Sequence, residues 1–388
     1  LSIRRQRQMC IRDSSCLVLF FTFAILCGMA LAEDVTDEAS VVAVGDNLIH
    51  PVVYNDALQK DGSFNFKPMY LHIKNDIQSP DLAFINQESP LGGDDRPFSG
   101  FKNFNTPSQI AQDVVETGFD MVNGANNHSL DQGDEGVLNH LKTWNKFDKQ
   151  VLFTGIFNSE KDAQTIPVMT VNGIKVSLLS YTYGTNEMTS QYPYTIKKFD
   201  EKTIQRDVRQ AKKQSDVVMV SAHWGLENHH QPNHTQKKYA QLFANEGVDV
   251  VIGTHPHVIQ PVKWVKSKRD NHQTLVAYSL GNFLNGQDTG DEHNQLLGRL
   301  NFDIVKAPKG AHIENVKWTS MVNHYQQWDP TNKDTRHDFE VYNLDDYNEK
   351  LAQQHRLRND KKSQWDIKHL QDITKDVIDS EYLDEKSI

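Results

Sequence analysis

Six short apolar runs punctuate the body of the chain, and each ends in small or polar residues. Residues 41–44 lead into Gly45-Asp46, 82–85 into Asn86-Gln87-Glu88, and 119–122 into Asn123-Gly124-Ala125-Asn126-Asn127-His128. Residues 217–220 lead into Ser221-Ala222-His223-Trp224-Gly225, 248–252 into Gly253-Thr254-His255-Pro256-His257, and 275–278 into Ser279-Leu280-Gly281-Asn282. Near-continuous apolar runs predict strands buried on both faces, as in parallel sheets. Between them the period lengthens to that of helices. Thr106-Pro107 predicts a helix start and Gly118 its end. Val137, Leu138, Leu141 and Trp144 place a helix over 133–147, and residues 201–215 form a charged amphipathic one. Thr235 is expected to cap a helix through Tyr239, Leu242 and Phe243, closed by Gly247. Strands alternating with helices predict a layered α/β fold, whose ligands bind beyond the carboxyl ends of the strands.

The two ends of the chain differ from this body. Arg4, Arg5, Arg7 and Arg12 precede the apolar run CLVLFFTFAILCGMAL at 16–31, and Ala30-Leu31-Ala32 precedes acidic residues. That order predicts a secretory signal peptide over 1–32, or a membrane anchor, although the run is short for a span of about 20 residues. Either places the body outside the cytoplasm. The stretch RQMCIRDS resembles translated adapter sequence, so residues 1–14 are read as foreign to the natural chain. Residues 33–40 are expected to be a linker, 41–327 the main domain, and 328–388 a charged helical extension. Within the extension, 345–359 and 363–379 are expected to be solvent-facing helices, with no buried strand.

Composition narrows the function. With 38% hydrophobic and 24% charged residues, a wholly disordered chain is excluded. A mean hydropathy of −0.61 excludes a polytopic membrane protein. The net charge is −10, and the four leader arginines make the remainder more acidic still, which excludes nucleic acid as a partner. Cys10, Cys16 and Cys27 all precede residue 33, so disulfides, a thiolate nucleophile and a cysteine-ligated zinc are excluded from the body.

The candidate chemistry lies at the strand ends. His255 and His257 are two apart, and in an extended segment both imidazoles point the same way. His223 follows another buried run. Asn127 offers a neutral carbonyl ligand and the adjacent His128 a proton, while Asp46 and Glu88 offer anionic oxygens. Each also has an ordinary structural reading: surface histidines, a hydrogen-bonded core histidine, a polar turn, a helix cap. Together, one Asp, one Glu, one Asn and three His at strand ends predict a site for one or two divalent ions. Two such ions about 4 Å apart can clamp a phosphoryl group.

The stretches AVGDNLIH (43–50), FINQES (84–89), NGANNHSLDQGDEG (123–136), SAHWGLE (221–227), GVDVVIGTHPHVIQ (247–260) and YSLGNF (278–283) resemble the CapA family of capsule-biosynthesis proteins. That family, also known for poly-γ-glutamate synthesis, is similar to a branch of the calcineurin-like metallophosphoesterases, and the resemblance covers about 41–285. It implies a layered metallophosphoesterase-like fold with a metal site at strand carboxyl ends. It implies Asp46, Glu88, Asn127, His223, His255 and His257 as metal ligands, Glu88 bridging, and His128 as the catalytic proton donor. It departs from the phosphoesterase Asp-x-His pattern, because Leu48 occupies the histidine position; His50 is a candidate additional ligand. The implied cofactor is a divalent metal (Mn, Zn, Mg or Fe). The implied role is biosynthesis or export of an anionic surface polymer, poly-γ-glutamate or capsule. The chain then acts as a metal-dependent hydrolase, or as a non-catalytic polymer-binding subunit of a membrane synthase or export complex.

Overall fold

A computed structural model describes residues 36–287 and 292–388, so the expected leader lies outside the described residues. Among the described residues no helix is long and apolar enough to cross a membrane. The strands are β1 (Asp37–Leu48), β2 (Leu82–Gln87), β3 (Met121–Asn123), β4 (Leu152–Thr154), β5 (Val168–Val171), β6 (Ile174–Thr182) and β7 (Val217–His223). They continue as β8 (Val250–Thr254), β9 (Ile259–Lys266), β10 (Gln273–Leu280), β11 (Asn282–Asn285), β12 (Leu296–Ala307), β13 (Gly310–Gln327) and β14 (Arg336–Asn343).

They form two sheets. The first runs β14-β13-β12-β1-β2-β3-β4, with β11 also paired to β1; the second runs β5-β6-β7-β8-β10-β9. The apolar runs legible in the sequence make the parallel cores, β1-β2-β3 in one sheet and β7-β8-β10 in the other, the latter joined by β6. Antiparallel strands flank them, β12 against β1 and β9 against β10.

Strand alternation builds the layers. Val41, Ala43, Phe84 and Met121 of the first sheet meet Val176, Leu178, Met219 and Ile252 of the second in one core. Val42, Val44, Ile85 and Val122 turn the other way and pack with Ile110 and Val114 of the helix Gln109–Thr117 and Trp144 of the helix Gly133–Trp144. On the far side, Val220, Val251 and Val276 pack with Ile204, Val208 and Phe243 of the helices Glu201–Ala211 and His234–Glu246. The result is helix, sheet, sheet, helix, with period-2 burial on the strands and period-3.6 burial on the helices.

Several boundaries differ from expectation for local reasons. β1 starts at Asp37, inside the stretch read as linker, because Ala39 already faces the core. The helix expected from Thr106-Pro107 starts at Gln109. The cap expected at Thr235 is Asn233, which forms a reciprocal capping box with Gln236. The C-terminal extension is helical and charged, but it also contributes β14, whose Phe339 and Val341 are buried. Its helices are not wholly solvent-facing: Leu370, Ile373 and Val377 of the helix Ile367–Val377 join the inter-sheet core.

One stitch ties the sheets together directly beneath the strand ends. β10 belongs to the second sheet and β11 to the first, and the chain passes between them at Gly281, with φ +70°. Two glycines admit this crossing. A Cβ on Gly45 would lie 2.0 Å from the Gly281 carbonyl oxygen, and one on Gly253 would lie 2.0 Å from that of Tyr278. Gly45→Ala and Gly253→Ala should therefore each cost at least about 1–3 kcal/mol. Thermal unfolding followed by circular dichroism checks this, with Gly184→Ala, which meets nothing within 4 Å, as the unchanged control.

Candidate metal centre

Asp46, Glu88, Asn127, His128, His223, His255 and His257 come from five separate chain segments, and all are buried. Each stands at or just past the carboxyl end of a parallel strand. A buried amide ladder holds the first three strand ends together. Asn123 Nδ2 donates to Asn86 Oδ1 at 2.7 Å, and Asn86 Nδ2 donates to Asp46 Oδ1 at 2.7 Å. The other Asp46 oxygen accepts from the His255 backbone N–H at 3.1 Å and lies 3.2 Å from His257 Nδ1. Asp46 is thus fully engaged.

Glu88 is not. Neither of its carboxylate oxygens has a hydrogen-bond partner among the described residues, and both are buried. Its Oε1 lies 3.6 Å from His223 Nε2 and 3.8 Å from His257 Nε2. Glu88, His255 and His257 each present a ligand atom, all within 4.8 Å of one another. His255 Nδ1 is likewise buried and unpartnered among the described residues. An ionised carboxylate cannot sit buried without a cation or a proton. Burial, then the charge of Asp46, push the Glu88 carboxyl well above its ordinary range. Burial holds His223 and His255 well below theirs, so both are neutral imidazoles. Burial opposes charge on His257 as well, but the hydrogen bond and charge of Asp46 outweigh it and raise that ring. These donors fit a divalent cation.

Asn127 joins the group through its carbonyl, 2.7 Å from His223 Nε2, while Thr254 Oγ1 lies 2.9 Å from His223 Nδ1. His128 stands one residue on, with Nδ1 2.8 Å from Asp131 Oδ2. Asp131 also accepts from the Phe104 N–H at 2.8 Å, and the Phe104 ring meets His128 edge-on. The Asp131 oxygen therefore fixes the imidazole's tautomer and direction. The half-exposed Tyr183 ring covers His255 at 4.6 Å and His223 at 6.4 Å.

Two expectations need adjustment. The His255-Pro256-His257 segment is not extended: both histidines have left-handed backbones, φ +96° and +58°. The chain reverses sharply after β8, and this bend, not strand alternation, brings the two rings together. His50 is half-buried, and its Nδ1 lies 3.0 Å from the Leu48 carbonyl and 3.2 Å from the Gly286 N–H. Backbone groups engage that nitrogen, and burial lowers the ring to about 3. Leu48 itself is buried in the core. Asn86, Asn123, Asn282 and Tyr183 were not singled out by the sequence. The first three are asparagines ending strands or starting one, a signal that buried polar strand ends could have given.

Residues 40–287 match the model of a family described as bacterial capsule synthesis protein PGA_cap. The chain belongs to that family. The matched segment contains every strand-end residue named above. Among curated relatives, the PGA biosynthesis protein CapA of Bacillus subtilis (strain 168) is 26% identical over 252 residues, 64% of this chain and 63% of its own length. The capsule biosynthesis protein CapA of Bacillus anthracis is 28% identical over 226 residues, 56% of this chain and 53% of its own. The chain thus spans less than two thirds of the length of either. Among solved structures it is similar to a phosphatase from Mycoplasma pneumoniae, at 12% identity and a TM-score of 0.48 over 74% of this chain and 95% of that one.

A raised carboxyl keeps in the folded state a proton that the unfolded chain releases above its ordinary 4.5, so Glu88 costs the metal-free fold more as pH rises. Glu88→Gln should therefore stabilise the metal-free protein by about 1–3 kcal/mol at neutral pH, less toward pH 5. The same change should weaken divalent-metal binding. Urea unfolding after chelation, with and without added metal, checks both signs.

Proposed function

We propose that this chain works outside the cytoplasm in the biosynthesis or export of an anionic surface polymer, poly-γ-glutamate or capsule, through a divalent-metal centre. Asp46, Glu88, Asn127, His223, His255 and His257 hold the ion. The observation that carries this is Glu88: two buried carboxylate oxygens without hydrogen-bond partners among the described residues, aimed among imidazoles. Mixed imidazole and carboxylate donors suit Mn, Zn or Fe better than Mg.

The reading favoured is hydrolysis. A divalent ion held there would supply Lewis acidity toward an anionic oxygen of a phosphoester or the carbonyl oxygen of an amide. His128 delivers the proton to the leaving group from Nε2, because Asp131 occupies Nδ1. Asn186 Nδ2, 3.4 Å from His128 Nδ1 and 3.3 Å from the Asn127 amide through its own carbonyl, closes the lip of the site. A groove of about 680 Å³, lined by Tyr192, Tyr194, Lys198 and Arg206 with Glu160 and Asp200 among others, reaches the His128 segment at Leu130 and holds none of the ligands named above. Its tyrosines and lysine suit a segment of an anionic polymer. A membrane synthase or export complex is the proposed partner that feeds it.

One observation favours a second reading, a non-catalytic polymer-binding subunit. Leu48 fills the place of a metal-binding histidine with a buried hydrocarbon, which leaves the site one ligand short of the phosphoesterase pattern.

His128→Ala should leave metal content unchanged and lower turnover of a model phosphoester or of the polymer by about 10²–10⁴-fold. His255→Ala/His257→Ala should lose metal and turnover together, as read by elemental analysis and a steady-state assay. If chelation abolishes polymer binding while wild type consumes none, the accessory reading replaces hydrolysis. Wild type that holds no metal at the strand ends after incubation with Mn, Zn and Fe defeats both.

A further inference from the structure

The helix Glu201–Ala211 and the residues that enter it are basic in an acidic protein. Residues 197–213 carry seven Lys and Arg against three Asp and Glu, in a chain whose net charge is −10. Ile204, Val208 and Ala211 form the buried face of the helix. Lys202, Arg206, Arg209 and Lys213 repeat at four, three and four residues, two positions out of phase with that face. Two positions are about 200° round a helix, so the stripe points away from the protein, and all four residues are exposed. It runs about 16 Å along the helix, and the exposed Lys198 stands at its start.

The acids of the segment do not interrupt this stripe. Asp207 is buried between Lys197 Nζ at 2.6 Å and the Arg206 guanidinium at 2.8 Å. Asp200 caps the helix through the Thr203 N–H at 2.8 Å, and Glu201 pairs with Lys238 at 2.7 Å. Arg206 and Arg209, which lies 3.4 Å from Glu246, still keep side chains 55% and 65% exposed. Lys198, Lys202 and Lys213 make no ion pair among the described residues. An ordinary solvated helix face interleaves acids and bases at these spacings, where like charges repel. Here the bases stand together, and the arrangement becomes favourable when an anion lies along it.

The stripe also leads somewhere. Lys198, Thr203 and Arg206 line the groove described above, which holds Leu130, two residues past His128. Glu160 and Asp200 line that groove too, so its charge is mixed and the ridge alone is basic. An extended chain can follow a ridge into a concavity, whereas the flat surface of a bilayer cannot. We infer that Lys198, Lys202, Arg206, Arg209 and Lys213 are a docking track for a linear polycarboxylate, which enters the groove past Lys198. This rests on the polymer reading proposed above and adds where the chain is held, away from the metal centre. The track attracts and retains the chain by charge, an effect that salt screens.

The test is binding of end-labelled poly-γ-glutamate to the full chain, read by fluorescence anisotropy over a range of salt. Lys198→Glu/Lys202→Glu/Lys213→Glu should weaken binding about tenfold or more and flatten its salt dependence. Lys142→Glu/Lys146→Glu/Lys149→Glu makes the same charge change on exposed lysines in and after the helix Gly133–Trp144, and should shift binding less than about twofold. His255→Ala/His257→Ala should keep the ridge-dependent binding, so a failed metal centre and a failed track give different results. Equal weakening by both lysine variants overturns the proposal, as does wild type that binds no polymer, or binding that is lost with the metal ligands and untouched by the ridge. Ridge-dependent binding to phosphatidylglycerol–phosphatidylcholine vesicles, with none to poly-γ-glutamate, overturns it in favour of a membrane. Should the reversed variant not fold, Lys198→Gln/Lys202→Gln/Lys213→Gln replaces it, and wild-type affinity in that variant overturns the proposal.

Discussion

Two carboxylates, Asp46 and Glu88, are buried in one pocket at the meeting point of two sheets, and the rest of the site is arranged around that cost. Asp46 is satisfied by protein alone: an amide ladder on one oxygen, a backbone N–H and an imidazole on the other. Glu88 is left with three histidines near it and no hydrogen bond among the described residues. Like charges this close cannot both persist in a water-poor pocket without a cation or a proton. Of the two, Asp46 already has partners from the protein on both oxygens, whereas Glu88 has no hydrogen-bond partner among the described residues.

The scaffold makes this arrangement rigid from below. Parallel strands bring their carboxyl ends to a common edge, and the step from β10 to β11 locks one sheet to the other at that edge. Gly45 and Gly253 are there because two carbonyl oxygens occupy the space a side chain would need. The strained backbones of His255 and His257 follow from the same crowding, since the chain must turn back at once to aim two rings into the pocket.

Much of this was legible in the sequence, and the exceptions have physical causes. Strands buried on both faces, such as β7 and β8, announce themselves by unbroken apolar runs ending in His223 or His255. β12, β13 and β14 do not, because antiparallel strands with one wet face alternate with charges, as in His337-Asp338-Phe339-Glu340-Val341. The amphipathic face of the helix Ile367–Val377 was hidden in the same way by its lysines and aspartates. Short spacing exposed the His255–His257 pair, whereas Asn86, Asn123 and Asn282 come from separate strands that only the fold brings together.

β14 has a consequence beyond packing. β13 is the longest strand described, and the C-terminal extension meets its outer edge through β14 over Met321–Gln327 and through the Ser387 carbonyl and Leu344 N–H at Ser320. A chain ending before Arg336 would leave that ladder open, a template for pairing with a neighbouring copy or with any extended polypeptide nearby. The extension thus takes up hydrogen-bonding groups of β13 that would otherwise face outward, so the strand edge of the first sheet is β14 rather than the longer β13.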